Sequence, residues 1–306
     1  MIYTVTFNPS LDYVIRADAL TPGEINRTTQ EHIYPGGKGN NVSVMLSNLG
    51  HKSRTLGFVA GFTGEALEKM LNDYGCYTDF IRLDQGFTRI NVKINAGEET
   101  EINGQGPVIT GEALDQMYGK LEHLVKDDIL VLAGSIPNTL PCDIYERIME
   151  RLCGRGVRVV VDATKDLLLN VLKYHPFLIK PNNHELGEMF GVQIESDEQI
   201  IEYANRLKEM GATNVLVSMA SDGALLLTED GDIYRMKPPR GKVLNSVGAG
   251  DSMVAGFLTG YLNTADYEKA FKLGVASGSA SAFQSWLATR EDIVELLSED
   301  PAGFGL

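Results

Sequence analysis

Apolar residues in the first two thirds of the chain fall into short, nearly unbroken runs. Residues 2–7 (I-Y-T-V-T-F), 55–59, 129–133, 157–162, 177–180 and 215–218 are rich in Val, Ile, Leu and Phe. Runs this short and this apolar predict strands buried on both faces. Between them the apolar spacing changes to three and four, and 64–74, 142–155 and 167–172 predict helices. Met253, Val254, Phe257, Leu258 and Tyr261 keep that spacing, so the final third reads as mainly helical. Strand and helix alternation predicts an α/β fold, a mainly parallel sheet covered on both faces, with ligands at the carboxyl ends of its strands. Two stretches break the rhythm, 13–34 and 88–106. The second shows alternating residues and no helix signal, and both are expected to form strands outside the main sheet. No linker, low-complexity tract or repeat divides the chain, so residues 1–306 are read as one domain with an appendage inserted in two pieces.

Composition narrows the function. A chain of 306 residues with 43% hydrophobic and 22% charged positions can bury one sizeable core. Its formal charge of -14 argues against nonspecific binding to nucleic acid or anionic membranes, and it makes any local cluster of cations informative. Cys76, Cys142 and Cys153 show no C-x-x-C spacing and point neither to a disulfide framework nor to a zinc site. The first residues form a strand pattern without a basic region, and no stretch approaches the roughly 18 apolar residues of a membrane helix. A cytoplasmic protein is expected.

Two glycine-rich turns carry candidate chemistry. Leu244-Asn245-Ser246-Val247-Gly248-Ala249-Gly250-Asp251 places exposed amides and one carboxylate at the start of a helix. A helix N-terminus binds anions, and a transferred phosphoryl group needs such donors beside a base. Alone, G-A-G-D equally suits a flexible helix entry with an acid in the first turn. Far upstream, Gly36-Gly37-Lys38-Gly39-Asn40-Asn41 precedes a second helical pattern, Val42 to Leu49. It matches neither G-x-x-x-x-G-K-[ST] nor G-x-G-x-x-G after a strand, which disfavours a dinucleotide oxidoreductase. One cation and two carboxamides suit a polyhydroxylated or phosphorylated ligand.

Together, G-G-K-G-N-N near the start and N-S-V-G-A-G-D near the end resemble the ribokinase-like PfkB carbohydrate kinase family. Asn8-Pro9-Ser10-Leu11-Asp12, Thr88-Arg89-Ile90-Asn91, Glu99-Thr100-Glu101-Ile102-Asn103, Ala133-Gly134-Ser135-Ile136-Pro137 and Lys180-Pro181-Asn182-Asn183-His184-Glu185 follow in the family's order. The wider family often has Asp-Thr where this chain has Asn245-Ser246, and the set looks most like the phosphosugar branch, above all its 1-phosphofructokinase group. The resemblance implies a three-layer α/β/α sandwich with a small β lid from about 13–34 and 88–106. It implies transfer from ATP, with Mg2+, to the 6-hydroxyl of fructose 1-phosphate, giving fructose 1,6-bisphosphate. The alternatives are a tagatose 6-phosphate kinase and a noncatalytic phosphosugar-binding protein.

The same resemblance distributes the roles. Asp251 would be the base, with the amides of Val247, Gly248, Ala249 and Gly250 as the anion hole. Asp12, Gly37, Gly39, Asn40, Asn103 and Ser135 would bind the sugar, and Arg27, Lys38 and Arg89 its phosphate. Lys180, Ser218, Ser221, Gly223, Val247, Gly250 and Ser277 would serve ATP. Asn182 and Glu185 would steer Mg2+ through water, although N-x-x-E is also the spacing of a helix cap. The lid is expected to pair two copies into a homodimer, since a sheet edge is otherwise left open.

Overall fold

The computed structural model describes residues 1–297 and 300–306. Its strands are β1 (Ile2–Thr6), β2 (Ser10–Arg16), β3 (Gln30–Gly36), β4 (Ser53–Ala60), β5 (Tyr77–Thr78), β6 (Ile81–Leu83), β7 (Arg89–Ala96) and β8 (Glu98–Asn103). They continue as β9 (Ile129–Ala133), β10 (Arg158–Asp162), β11 (Leu178–Ile179), β12 (Asn214–Ser218), β13 (Ala224–Leu227) and β14 (Ile233–Met236). The helices are α1 (Lys38–Asn48), α2 (Gly61–Asp73), α3 (Gly111–Leu121), α4 (Ile144–Leu152) and α5 (Asp166–Leu169). After them come α6 (Asn183–Phe190), α7 (Asp197–Glu209), α8 (Ala249–Thr264), α9 (Tyr267–Ala282) and α10 (Arg290–Leu296).

The main sheet runs β14-β13-β12-β11-β10-β9-β1-β4-β5, with β6 also on β4. Every pair from β12 through β5 is parallel, and β13 and β14 add an antiparallel hairpin at one edge. The apolar runs are explained by this position. Alternate residues of β9 enter opposite cores: Leu130 and Leu132 pack among residues of α3, α4 and α7, whereas Ile129 and Val131 pack among those of α1, α8 and α9. A strand with helices on both faces has no room for polar alternation. Helix α4 shows the complementary pattern, burying Ile144, Tyr145, Ile148, Met149 and Leu152 along one stripe.

Boundaries differ from the sequence reading where local chemistry intervenes. Helix α4 is shorter than 142–155: it begins beyond Pro141 and ends before Gly154 and Gly156, both left-handed. The 167–172 helix is the short α5, followed by a separate 3-10 turn at Leu172–Tyr174. Helices α3 and α7 have no counterpart in the sequence reading, although each carries a start signal. Thr110 accepts from the Ala113 amide, and Ser196 from the Gln199 amide.

The two stretches that broke the rhythm contribute to a second sheet, ordered β3-β2-β7-β8. Its strands reach beyond the expected limits, from Ser10 and up to Gly36, while residues 17–29 between β2 and β3 form no strand. Register places Asp12 between Tyr34 and Asn91, and Lys93 between Val14 and Glu101. Those residues share one face. The opposite face carries Tyr13, Ile33, Ile90, Val92 and Ile102, of which Ile33, Ile90 and Ile102 are exposed.

Candidate active site

The carboxyl ends of the parallel strands meet the polar face of the second sheet around a cavity of about 480 Å³. Three carboxylates line it, Asp12, Asp162 and Asp251, and three cations, Lys38, Arg89 and Lys93. Gly37, Ser135, Val247 and Gly248 complete the sequence-expected residues in its wall.

Asp251 is the third residue of α8 and is 4% exposed. Its position follows from Gly248, the N-cap, whose φ of 81° suits glycine, and where a Cβ would lie 2.6 Å from Leu287 Cδ2. Asn41 Nδ2 donates to Asp251 Oδ2 at 2.8 Å. Burial, and next the charge of Asp162, push the Asp251 carboxyl up to about 6, against the pull of Lys38, Asn41 and Lys180. A carboxylate raised toward neutrality suits a general base at physiological pH. At the same helix end the amides of Gly248 and Gly250 have no acceptor among the described residues. Val247 differs from the expectation: its amide is bonded to Asn245 Oδ1, so it adds no donor to an anion hole. The Ala249 amide reaches Ser246 O at a long 3.3 Å.

Asp162, which the motifs did not single out, ends β10 and is almost fully buried. Its carboxylate lies 3.3 Å from Lys38 Nζ and 3.6 Å from Lys180 Nζ. Burial alone would raise its pKa, yet the ammonium groups of Lys180 and Lys38 hold it below the ordinary value. The same carboxylate, with Asp251, raises the pKa of Lys38 against the partial desolvation of its half-buried side chain. Lys180 is itself buried and sits under α8, where a Cβ on Gly250 would come 3.0 Å from its Nζ. An acid closing the apolar run V-V-V at a strand's carboxyl end was the available signal for Asp162.

Asp12 on β2 is held by its neighbours. Ser10 Oγ and Asn91 Nδ2 donate to Oδ1 at 2.7 and 2.9 Å, and Lys93 Nζ lies 3.3 Å from Oδ2. Gly36 leaves room for this carboxylate, since a Cβ there would fall 2.4 Å from Asp12 Oδ1. Arg89 is oriented by backbone carbonyls, Nε to Asn8 O at 3.0 Å and Nη1 to Gly104 O at 3.4 Å. Burial lowers its pKa, with Asp12 opposing.

Several expected residues lie elsewhere. Asn40 is turned into the core, where its Nδ2 donates to Gly36 O and its amide to Thr6 Oγ1. Helical rotation by one residue gives the cavity to Asn41 instead. Gly39 is buried against Val5 and Thr6. Asn103, at the end of β8, is exposed and donates to Glu101. Arg27 stands exposed between β2 and β3 and does not line the cavity. Ser277 is buried in α9 and donates to Leu273 O of its own helix, so its hydroxyl is not offered to a nucleotide.

Asn182 and Glu185 form a capping box on α6. Asn182 Oδ1 accepts the Glu185 amide and Glu185 Oε2 accepts the Asn182 amide, both at 2.8 Å. The box uses one carboxylate oxygen of Glu185, so the capping and metal-steering readings are compatible. Ser218 closes β12 beside Asn182, Ser221 is exposed on the turn Ala220–Asp222, and Gly223 is left-handed against Met236 O. Among the described residues no group of three or more His, Cys, Asp or Glu could hold a metal ion, and no helix is long and apolar enough to cross a membrane.

Comparison with known proteins agrees with this geometry. Residues 5–291 match the pfkB family carbohydrate kinase. The chain is 50% identical over 299 residues to the 1-phosphofructokinase of Bacillus subtilis, covering 98% of each chain. It is 36% identical to the D-tagatose-1-phosphate kinase of Bacillus licheniformis, covering 94% of each. Among solved structures, phosphofructokinase-2 from Escherichia coli in complex with fructose-6-phosphate superimposes with a TM-score of 0.89 at 27% identity, covering 96% of this chain and 97% of that one. With the family matched over nearly its whole length, this chain belongs to the pfkB family of carbohydrate kinases.

Proposed function

We propose that the protein transfers the γ-phosphoryl group of ATP to the 6-hydroxyl of fructose 1-phosphate, giving fructose 1,6-bisphosphate and ADP. The observation that carries this is a buried carboxylate, Asp251, poised at a helix N-terminus and facing a lid that carries Asp12, Arg89 and Lys93 across one cavity. Near-complete coverage at 50% identity to a 1-phosphofructokinase supports the choice of sugar.

Phosphoryl transfer asks a protein for alignment, charge stabilisation and exclusion of water. Asp251 accepts the proton of the 6-hydroxyl as that oxygen bonds to phosphorus, and Asn41 fixes its orientation. The free amides at the start of α8 receive the charge on the transferred group. Asp12 accepts bonds from sugar hydroxyls through Oδ2, which it shares with Lys93, because Oδ1 already accepts from Ser10 and Asn91. Arg89 meets the acceptor's phosphate as an oriented fork. Lys180 and the turn bearing Ser218, Ser221 and Gly223 serve the nucleotide.

Magnesium fits this site as a partner of ATP. The cation keeps several waters and binds through one or two carboxylates and phosphate oxygens, and Glu185 has a carboxylate oxygen outside its capping box for such a water. When bound, Mg2+ would neutralise charge on the phosphates. The second sheet acts as the lid, and its outer apolar face, with Ile33, Ile90 and Ile102 exposed, suits pairing with a second copy.

Steady-state kinetics on fructose 1-phosphate, fructose 6-phosphate, tagatose 1-phosphate and tagatose 6-phosphate at matched ATP test the assignment. The expected result is the highest kcat/KM for fructose 1-phosphate. A higher value for either tagatose phosphate would replace the sugar and leave the kinase chemistry standing, whereas no ATP consumption with any of the four would remove the proposal.

A further inference from the structure

The charges around Lys93 point beyond the roles given so far. Lys93 lies on β7, directly opposite Glu101 on the edge strand β8. Its Nζ is 3.3 Å from Asp12 Oδ2 and 3.6 Å from Glu101 Oε1, and its side chain is 13% exposed. It also lines a second cavity, of about 490 Å³, which shares Asp12, Asn41, Lys93 and Val247 with the first. Lys93 therefore stands at the junction of the two, where an acceptor lying along Asp12 would extend.

Its two partners are unequal. Asp12 is 14% exposed and pinned by Ser10 and Asn91, so that contact anchors the ammonium. Glu101 is 38% exposed on an edge strand, and a pair with one solvated partner at 3.6 Å is weak. An ammonium has three donors, so one remains beyond the two carboxylates. Arg89, by contrast, has its guanidinium fork fixed by two backbone carbonyls. A phosphate group arriving at this junction meets, in Lys93, a cation that can turn toward it by leaving Glu101.

We propose that Lys93 recognises the phosphate of the acceptor and that Glu101 holds Lys93 until that anion displaces it. Glu101 thereby weakens binding of the substrate it helps to select. This rests on the acceptor being a sugar phosphate, as proposed above, and it gives Lys93 and Glu101 roles that the proton transfer itself does not need.

The test is a double-mutant cycle on Lys93→Met and Glu101→Gln, read as KM for fructose 1-phosphate, KM for ATP and kcat. Lys93→Met is expected to raise the sugar phosphate KM roughly 10- to 100-fold, as for a lost charge-assisted bond, while KM for ATP stays within about 2-fold. Glu101→Gln is expected to lower the same KM by about 2- to 5-fold, and to do so only when Lys93 is present. Lys93→Arg should restore most of the loss. A merely structural ion pair would move both single variants in the same direction, and plain repulsion by Glu101 would persist unchanged in the Lys93→Met background. Either result, or an unaltered KM in Lys93→Met, overturns the proposal. If the wild-type chain turns over none of the phosphosugars, the functional assignment fails instead, and the two failures are distinguishable.

Discussion

Replacing Asp251 by Asn is expected to lower turnover on fructose 1-phosphate by about 100-fold or more, the usual scale for a missing general base. Binding of both substrates should change little, because an Asn side chain can still accept the bond from Asn41 Nδ2. The variant should also be more stable than the wild type at pH 8. Asp251 titrates near 6 in the folded chain against an ordinary value of 3.8, so the folded state binds this proton more tightly than the unfolded one. The ionised carboxylate is then a cost to folding that grows as pH rises from about 4 to 6 and is complete above that. Asn removes it, a gain of up to about 3 kcal/mol at pH 8 that should vanish near pH 4. Thermal melts at both pH values and steady-state kinetics check the pair of effects. Near-wild-type turnover would remove Asp251 from the proton transfer.

Replacing Asp162 by Asn should do the opposite to stability. This carboxylate is held below the ordinary range by Lys180 and Lys38 despite its burial, so it stabilises the fold above the unfolded pKa and loses that contribution as pH falls through its folded value. Asn would leave the buried Lys180 ammonium without its counter-charge. Breaking one side of a buried pair costs about 3–5 kcal/mol, a large share of the roughly 5–15 kcal/mol that holds a domain. Urea unfolding at pH 8 should show a lower midpoint with an unchanged slope. An unaltered midpoint would mean that the pair offers no net support. Two acids in one cavity thus have contrasting purposes, one destabilised for proton transfer and one that balances two lysines.

How far the sequence foretells this arrangement depends on the range of the interaction involved. The alternation of apolar runs and helical spacing marks the parallel sheet because burial on both faces leaves a local record in each strand. Gly248 and Asp251 are legible for the same reason, since a left-handed N-cap and a first-turn acid are properties of one short segment. Asn41 was missed in favour of Asn40 because the choice between adjacent carboxamides is set by helix rotation against α8, over 200 residues away. Lys93 and Asp162 were missed because their partners come from other, distant segments: Asp12 on β2 for one, Lys38 at the start of α1 and Lys180 just after β11 for the other. Ser277 has a hydroxyl and a suitable neighbourhood in the sequence, but only the structure shows that hydroxyl spent on Leu273. Arg27 belongs to a segment without regular structure, and its charge alone did not place it in the cavity.

The account turns on Asp251 being the proton acceptor under the control of its charged neighbours, and the pH dependence of kcat/KM for fructose 1-phosphate addresses that directly. In the wild type the profile should rise with pH through a midpoint near 6, the value to which burial and Asp162 push the Asp251 carboxyl, and level off above it. The acceptor's own phosphate also titrates near 6, so the wild-type curve alone does not separate enzyme from substrate. Asp162→Asn does, because removing the neighbouring charge lowers the pKa of Asp251 and leaves that of the substrate untouched. The account predicts an acid limb displaced to lower pH in that variant. A limb that stays at the same pH in both proteins would contradict it.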